Sequence, residues 1–203
     1  MSKETVKLIG YYNKSDIEMQ LAIQCAPVIA GIKIANLLIV QNKYVKEVYH
    51  LLRNTEISVY TLSRSEEKTI MILYRKMELL AYLNSEKVNS IIIKMGYHSM
   101  EIDSILREFS KKYTQYLRDG GIFPHEMGLL LGYPVEDVTG FIHNAGKNFL
   151  YAGYWKVYFD VEEKLETFHR YNQVKEQMIH MVYQGIQLQD IINFHITNQK
   201  VAV

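Results

Sequence analysis

Cysteine and proline are both scarce in this chain of 203 residues. A single cysteine, Cys25, excludes an intrachain disulfide framework and is typical of a reducing compartment. Only three prolines occur, so there is no Pro-rich linker to mark a domain boundary. We therefore expect residues 1–203 to form a single domain.

An excess of charge of one sign is also lacking. The 23 basic and 22 acidic residues are interspersed and leave a net charge of +1, too little to attract nucleic acid or an anionic membrane. The one basic, aromatic stretch, residues 111–118, is better interpreted as the solvated face of a helix than as a nucleic-acid contact. No nucleic-acid partner is expected.

Long apolar runs are missing as well. The longest, residues 34–40, is far shorter than the ~18 residues that a membrane-spanning helix needs. Residues 1–7 carry charges of both signs and no apolar segment, which does not predict a signal peptide. We expect no membrane partner and a cytoplasmic location.

The residues that are present predict an α+β fold. Residues 57–62 alternate strictly and residues 69–74 are rich in β-formers, and the polar residues 63–68 between them have the length of a hairpin turn. Short strands are also predicted at 37–40 and 154–159. The expected architecture is a small, mostly antiparallel sheet of about four strands, with helices packed on one or both faces.

Helical spacing of apolar residues accounts for most of the remaining chain. Ser15 and Asp16 form a good N-cap for a first helix, which Pro27 and Gly31 are expected to break or restart. Two short helices are predicted around residues 132–134. Longer helices are predicted at 43–52, 77–83, 86–95, 102–117 and 161–183.

Known catalytic motifs do not occur. There is no phosphate-binding loop, no dinucleotide fingerprint and no Gly-x-Ser-x-Gly nucleophile elbow. His125 and Glu126 resemble the start of a zinc-protease helix, but Leu129 stands where the second histidine ligand belongs. We expect no metal site, and the sequence assigns no cofactor.

The first of three clusters of candidate site residues spans residues 25–36. Cys25 is a candidate reactive thiol, with Lys33 lowering its pKa, although a lone cysteine on an apolar helix face is more often a small buried hydrophobe. Lys33 and Asn36 are polar residues in an otherwise apolar segment and need partners, which makes both candidates for ligand binding.

The second cluster spans residues 123–134. With Pro124 in its first turn, a helix here would expose amide groups to an anion. His125 is a candidate acid, base or ligand contact, or else bonds a backbone carbonyl. Glu126 is a candidate ligand contact, or else caps its own helix.

The third cluster runs from residue 137 to residue 158, and its glycines permit close approach of a ligand. Its candidates are Asn144, Tyr154, Trp155 and Lys156. Tyr154 and Trp155 are expected either to stack on a planar ligand or to be ordinary buried aromatics. On a strand, Trp155 and Lys156 would point to opposite faces.

Four segments together carry a resemblance to a known family: CAPVIAGIKIAN, FPHEMGLLLGYP, EDVTGFI and GYWKVY. They resemble an uncharacterised family of clostridia and related anaerobes, a domain of unknown function, over about residues 15–190. The resemblance implies no activity and no catalytic residue. Iron-uptake and flavodoxin genes beside relatives imply a link to iron or redox metabolism. Cysteines that some members carry are absent from residues 148–152 here.

We therefore expect a cytosolic protein that binds a small ligand, and the sequence leaves open whether it is also an enzyme. The alternative is a non-catalytic interaction or regulatory module. The expected partner is a small molecule in the first case and a second copy of the chain, in a homodimer, in the second.

Overall fold

The computed structural model describes residues 2–11 and 16–201. Ser15, one of the two predicted N-cap residues, lies outside them. The five strands are β1 Ala35–Gln41, β2 Ile57–Arg64, β3 Lys68–Arg75, β4 Tyr151–Ala152 and β5 Lys156–Val157. The α-helices are α1 Lys3–Tyr11, α2 Ile17–Ile29, α3 Val45–Leu51, α4 Lys76–Leu83, α5 Glu86–Lys94, α6 Ile102–Asp119, α7 Met127–Leu130, α8 Val135–His143, α9 Val161–Tyr183 and α10 Leu188–Val201, and a 3₁₀ turn covers Asn42–Tyr44.

Strand β3 is the centre of the main sheet, whose order is β1-β3-β2 with both pairings antiparallel. Met71 and Leu73 of β3 enter one core, while Ile72 and Tyr74 enter the other. A strand that is buried on both faces needs apolar residues at consecutive positions, which explains the unbroken run of β-formers in β3.

Helices cover both faces of this sheet, as the prediction allowed. One core lies between the sheet and helices α2, α9 and α10. The other lies between the sheet and helices α4 to α8. The α+β prediction is confirmed, and helices α7 and α8 belong to the second layer.

Helix α2 begins where the sequence predicts. The Asp16 carboxylate accepts a 3.1 Å hydrogen bond from the Met19 amide, as an N-cap does. The helix continues past Pro27 to Ile29, so the expected break at Pro27 is wrong. A proline so close to the C-terminal end removes one hydrogen bond of the last turns only. Gly31, with φ at +73°, then turns the chain toward β1.

The strand predicted at 154–159 is much shorter in the structure. Only Lys156–Val157 is extended, and it pairs with Tyr151–Ala152 in a separate two-stranded sheet. The physical reason lies in the backbone amides of Tyr158 and Phe159, which donate to the Asp137 carboxylate and so leave the ladder. The predicted fourth strand therefore lies outside the main sheet.

The lengths and compositions of the helices show whether any of them could cross a membrane. Among the described residues, no helix combines the length and the apolar composition needed to cross a bilayer.

Candidate functional site

A cavity of about 350 Å³ lies between the segment before and through α7, helix α8 and the β4–β5 hairpin. It opens to solvent, and aromatic and aliphatic side chains form most of its wall. Its lining residues are Phe123, His125, Met127, Gly128, Leu131, Tyr133, Asp137, Val138, Phe141, Trp155 and Lys156.

Trp155 is held in the wall by contacts on both its face and its edge. Its ring stacks on Tyr133 with 4.9 Å between centroids and an interplanar angle of 27°. The edge of the indole meets Phe168 of α9 at 4.6 Å. These contacts hold a flat aromatic surface at the cavity, which suits a planar ligand.

Asp137 holds the Trp155 part of the cavity wall in place through hydrogen bonds. The side chain is only 2% exposed, and its carboxylate accepts hydrogen bonds from Trp155 Nε1 at 2.7 Å, from the Tyr158 amide at 2.7 Å and from the Phe159 amide at 3.2 Å. Three donors compensate the burial of this charge. Asp137 thereby joins α8 to the hairpin.

His125 is the polar side chain of the cavity that forms no hydrogen bond with any residue the structure describes. Its ring lies between Phe123 and Phe141, with centroid distances of 5.8 Å and 5.3 Å. In the part of the chain that the structure describes, neither ring nitrogen has a hydrogen-bond partner. Both nitrogens are therefore available to a ligand.

Lys156 is a second polar side chain of the lining, and like His125 it lies beside Phe141. Its ammonium donates a 2.6 Å hydrogen bond to the Gly146 carbonyl and lies 4.8 Å from the ring centroid of Phe149 and 5.5 Å from that of Phe141. No ion pair of Lys156 is formed within residues 2–11 and 16–201. Its ammonium keeps two N–H groups for other acceptors.

Trp155 and Lys156 both line the cavity, so the expectation that they point to opposite faces is wrong. Strand β5 begins at Lys156, and Trp155 belongs to the preceding turn. The alternation rule applies only within extended backbone, and a turn residue is exempt from it.

Lys33 lies behind the cavity wall. Its ammonium donates to the carbonyls of Ala35 and Leu131, the latter at 3.1 Å, and lies 5.3 Å from the Tyr133 ring centroid. Burial lowers the pKa of Lys33 to about 7, and the charge of Cys25 acts in the opposite direction. Lys33 thus supports two lining residues without reaching the cavity.

Glu126 does not line the cavity. The residue is 6% exposed, and its carboxylate accepts hydrogen bonds from the Tyr97 hydroxyl at 3.0 Å and from the Lys112 ammonium at 3.2 Å. It makes no side-chain cap of α7, so the alternative of a helix-capping glutamate is wrong. Tyr97 and Lys112 approach from other elements and satisfy the carboxylate instead.

Cys25 and Asn36 lie at the contact of α2 with β1 and do not line the cavity. Cys25 is completely buried, and burial raises the pKa of its thiol to about 12. Asn36 donates to the Gln24 carbonyl and so ties β1 to α2. Both side chains have structural contacts.

The remaining two candidates flank the cavity. The Tyr154 hydroxyl donates to Asn172 at 3.1 Å, and its ring meets Tyr171 with 5.1 Å between centroids. Asn144 donates to the Gly140 carbonyl at 2.9 Å and lines an adjoining groove of about 630 Å³. The structure therefore brings His125, Trp155 and Lys156 together in one cavity.

The sequence-based candidates did not include Asp137, Tyr133 or Phe141. An acidic residue near the start of a helix is ordinarily exposed, so nothing in the sequence distinguishes Asp137 from Glu136. The aromatic content of 12% was the only signal that could have pointed to such a wall. No group of three His, Cys, Asp or Glu side chains in the described part is arranged to hold a metal ion.

Comparison with known proteins identifies a family but no activity. A family model described as a protein of unknown function, DUF3793, matches residues 21–192. That range includes the cavity and both helical layers. No curated protein and no solved structure matches the chain.

Proposed function

We propose that this chain, which belongs to the DUF3793 family of proteins of unknown function, binds a small planar aromatic ligand in the cavity beside Trp155. The observation that carries the proposal is the cavity itself: stacked aromatic walls and an imidazole, that of His125, with no partner in the described residues. Pockets for small molecules combine an apolar wall with a few polar groups in this way.

The volume limits the size of the ligand. About 350 Å³ is at the lower end of the roughly 300–1,000 Å³ that ligand pockets occupy. A molecule of one or two rings fits such a space better than a dinucleotide or a flavin does. We propose a cytoplasmic setting for this binding, supported by the single, buried Cys25.

Binding is better supported than catalysis. A catalytic histidine ordinarily has a second group that orients its ring and a neighbouring nucleophile or acid. Among the described residues, the ring contacts of His125 are with Phe123 and Phe141, which supply neither. The proposal is therefore a binding protein.

The test is a titration of the purified chain with indole, naphthalene and 2-naphthol. Binding is measured by calorimetry and by the fluorescence emission of Trp155. This residue is the only tryptophan, so its fluorescence reports on the cavity. We expect at least one probe to bind, and Val138→Phe to weaken binding about tenfold or more by filling the cavity. Phe194→Ala, which removes an exposed ring from α10, is the matched control and leaves the Kd unchanged.

The proposal fails if none of the probes releases heat or changes the emission. It also fails if Val138→Phe, shown to be folded by circular dichroism, binds as well as the natural chain. If Phe194→Ala weakens binding as much as Val138→Phe does, the probe binds outside the cavity.

A second function, self-association, is favoured by the exposed apolar residues of the β4–β5 hairpin. Leu150 is 64% exposed and Phe159 is 63% exposed, and both line the groove beside Asn144. Exposed apolar patches commonly mark interaction surfaces. Light scattering after size exclusion tests this function: a dimer that Leu150→Ser and Phe159→Ser dissociate supports it, and a monomer at all concentrations excludes it.

A further inference from the structure

We propose that the ligand of this cavity is an aromatic carboxylic acid, bound as its carboxylate by His125 and Lys156. This inference rests on the proposed function and specifies the ligand class of the same site. It is carried by the inventory of donors, acceptors and charges around the cavity.

Each of the two polar side chains Lys156 and His125 offers the cavity at least one N–H donor that is not used within the described residues. The Lys156 ammonium has three N–H groups, of which the Gly146 carbonyl takes one. The His125 imidazole has at least one N–H and no partner among the described residues. A ligand that satisfies both side chains must supply acceptors, and a carboxylate supplies two oxygens.

The acidic residue in the lining does not compete for these donors. Both oxygens of Asp137 already accept hydrogen bonds, from the Trp155 indole and from two backbone amides. Within the described part of the chain, no hydrogen bond or ion pair links Asp137 to Lys156 or His125. The Asp137 carboxylate therefore serves to hold the cavity wall together and leaves the N–H groups of Lys156 and His125 to a ligand.

The charges around the cavity also favour an anionic ligand. Lys156 has no carboxylate partner among the described residues, and its ammonium lies among the rings of Phe141 and Phe149. Lys33, behind Tyr133, also bonds only carbonyls. A partly desolvated ammonium gains most from an anion that reaches it directly, since charge-assisted hydrogen bonds are the stronger ones.

The aromatic side chains of the cavity wall indicate that the rest of the ligand is aromatic. Trp155 and Tyr133 present stacked rings, and Phe123 and Phe141 flank His125. Offset stacking and edge contacts with these rings favour a flat ring system over an aliphatic acid. A two-ring acid such as 2-naphthoate is therefore a suitable probe.

The experiment compares 2-naphthoate with its neutral isostere 2-naphthamide by calorimetry on the full chain at pH 7.5. We expect the carboxylate to bind about tenfold more tightly than the amide or better, as one charge-assisted hydrogen bond implies. Lys156→Met and His125→Leu are each expected to reduce this preference while leaving the Kd of the amide within about threefold. Lys147→Met, which removes an exposed lysine between α8 and β4, is the control and keeps the preference.

The outcomes separate the two proposals. Equal affinity for the acid and the amide, or tighter binding of the amide, overturns the carboxylate inference and leaves aromatic binding in place. A preference that survives in both Lys156→Met and His125→Leu overturns the assigned residues. Failure of the acid and the amide to bind, together with failure of indole, naphthalene and 2-naphthol, overturns the proposed function, and the inference falls with it.

Discussion

The indole of Trp155 donates a 2.7 Å hydrogen bond to the buried carboxylate of Asp137, across 18 residues of sequence. The bond joins helix α8 to the turn before β5 and sets the orientation of the ring that faces the cavity. Since Trp155 is the only tryptophan, the state of this contact is visible in the fluorescence of the whole protein.

Replacing Asp137 by alanine is expected to lower the free energy of unfolding by about 2–4 kcal/mol, because it leaves three partly buried donors without their acceptor. The emission of Trp155 is expected to shift to the red as the indole gains access to water. Urea denaturation monitored by fluorescence measures both changes. Glu136→Ala is the control at the neighbouring exposed position, where the loss of a surface ion pair with Lys87 costs less than about 1 kcal/mol. Equal stability of the two variants would contradict this assignment of Asp137.

Gly153 is placed against a ring and tolerates no side chain. A Cβ at this position would overlap Cε2 of the buried Phe168, so Gly153→Ala is expected to destabilise the fold by about 1–3 kcal/mol. In contrast, no atom lies within 4 Å of a Cβ at Gly10 in α1, and Gly10→Ala is expected to be neutral or stabilising by up to about 1 kcal/mol. Thermal unfolding compares them. The double variant with Phe168→Leu should recover part of the loss, and a harmless Gly153→Ala would disprove the close packing.

Lys33 makes stability depend on pH. Burial lowers its pKa from 10.5 to about 7, so the unfolded chain binds more protons than the folded chain between these values. The free energy of unfolding is therefore expected to rise with pH in this window, by up to about 1.4 kcal/mol per pH unit. Urea denaturation from pH 7 to 8.5 measures the rise, below the range in which the raised pKa of Cys25 opposes it. The slope is expected to be smaller in Lys33→Met, and an identical slope would refute the lowered pKa.

Cys25 is expected to resist alkylation in the folded protein. Its thiol is completely buried, and a pKa raised from 9.0 to about 12 reduces the thiolate fraction about a thousandfold at pH 8. Iodoacetamide labelling followed by intact mass measures the reaction, with the same chain in denaturing urea as the control that reacts fully. Rapid labelling of the native chain would restore Cys25 as a candidate reactive thiol.

The local elements of this fold could be predicted because they depend on neighbours in sequence. The alternation at 57–62 and the β-formers at 69–74 correspond to β2 and β3, and the apolar spacing after residue 102 corresponds to α6. The prediction failed where a distant group intervened. Strand β5 stops at Val157 because Asp137 takes the next two amides, and no pattern within 154–159 contains that information.

For the candidate site, too, some features could be predicted from the sequence and others could not. The sequence by itself determined that polar residues and glycines concentrate in three segments, and it singled out His125, Trp155 and Lys156, which the fold brings to one cavity. Only the tertiary structure decided that Glu126 is satisfied by Tyr97 and Lys112 while His125, one residue before it, is left without a partner in the described chain. The reason is physical: burial and hydrogen-bond partners come from elements far apart in sequence, and a one-dimensional pattern does not record which of them meet.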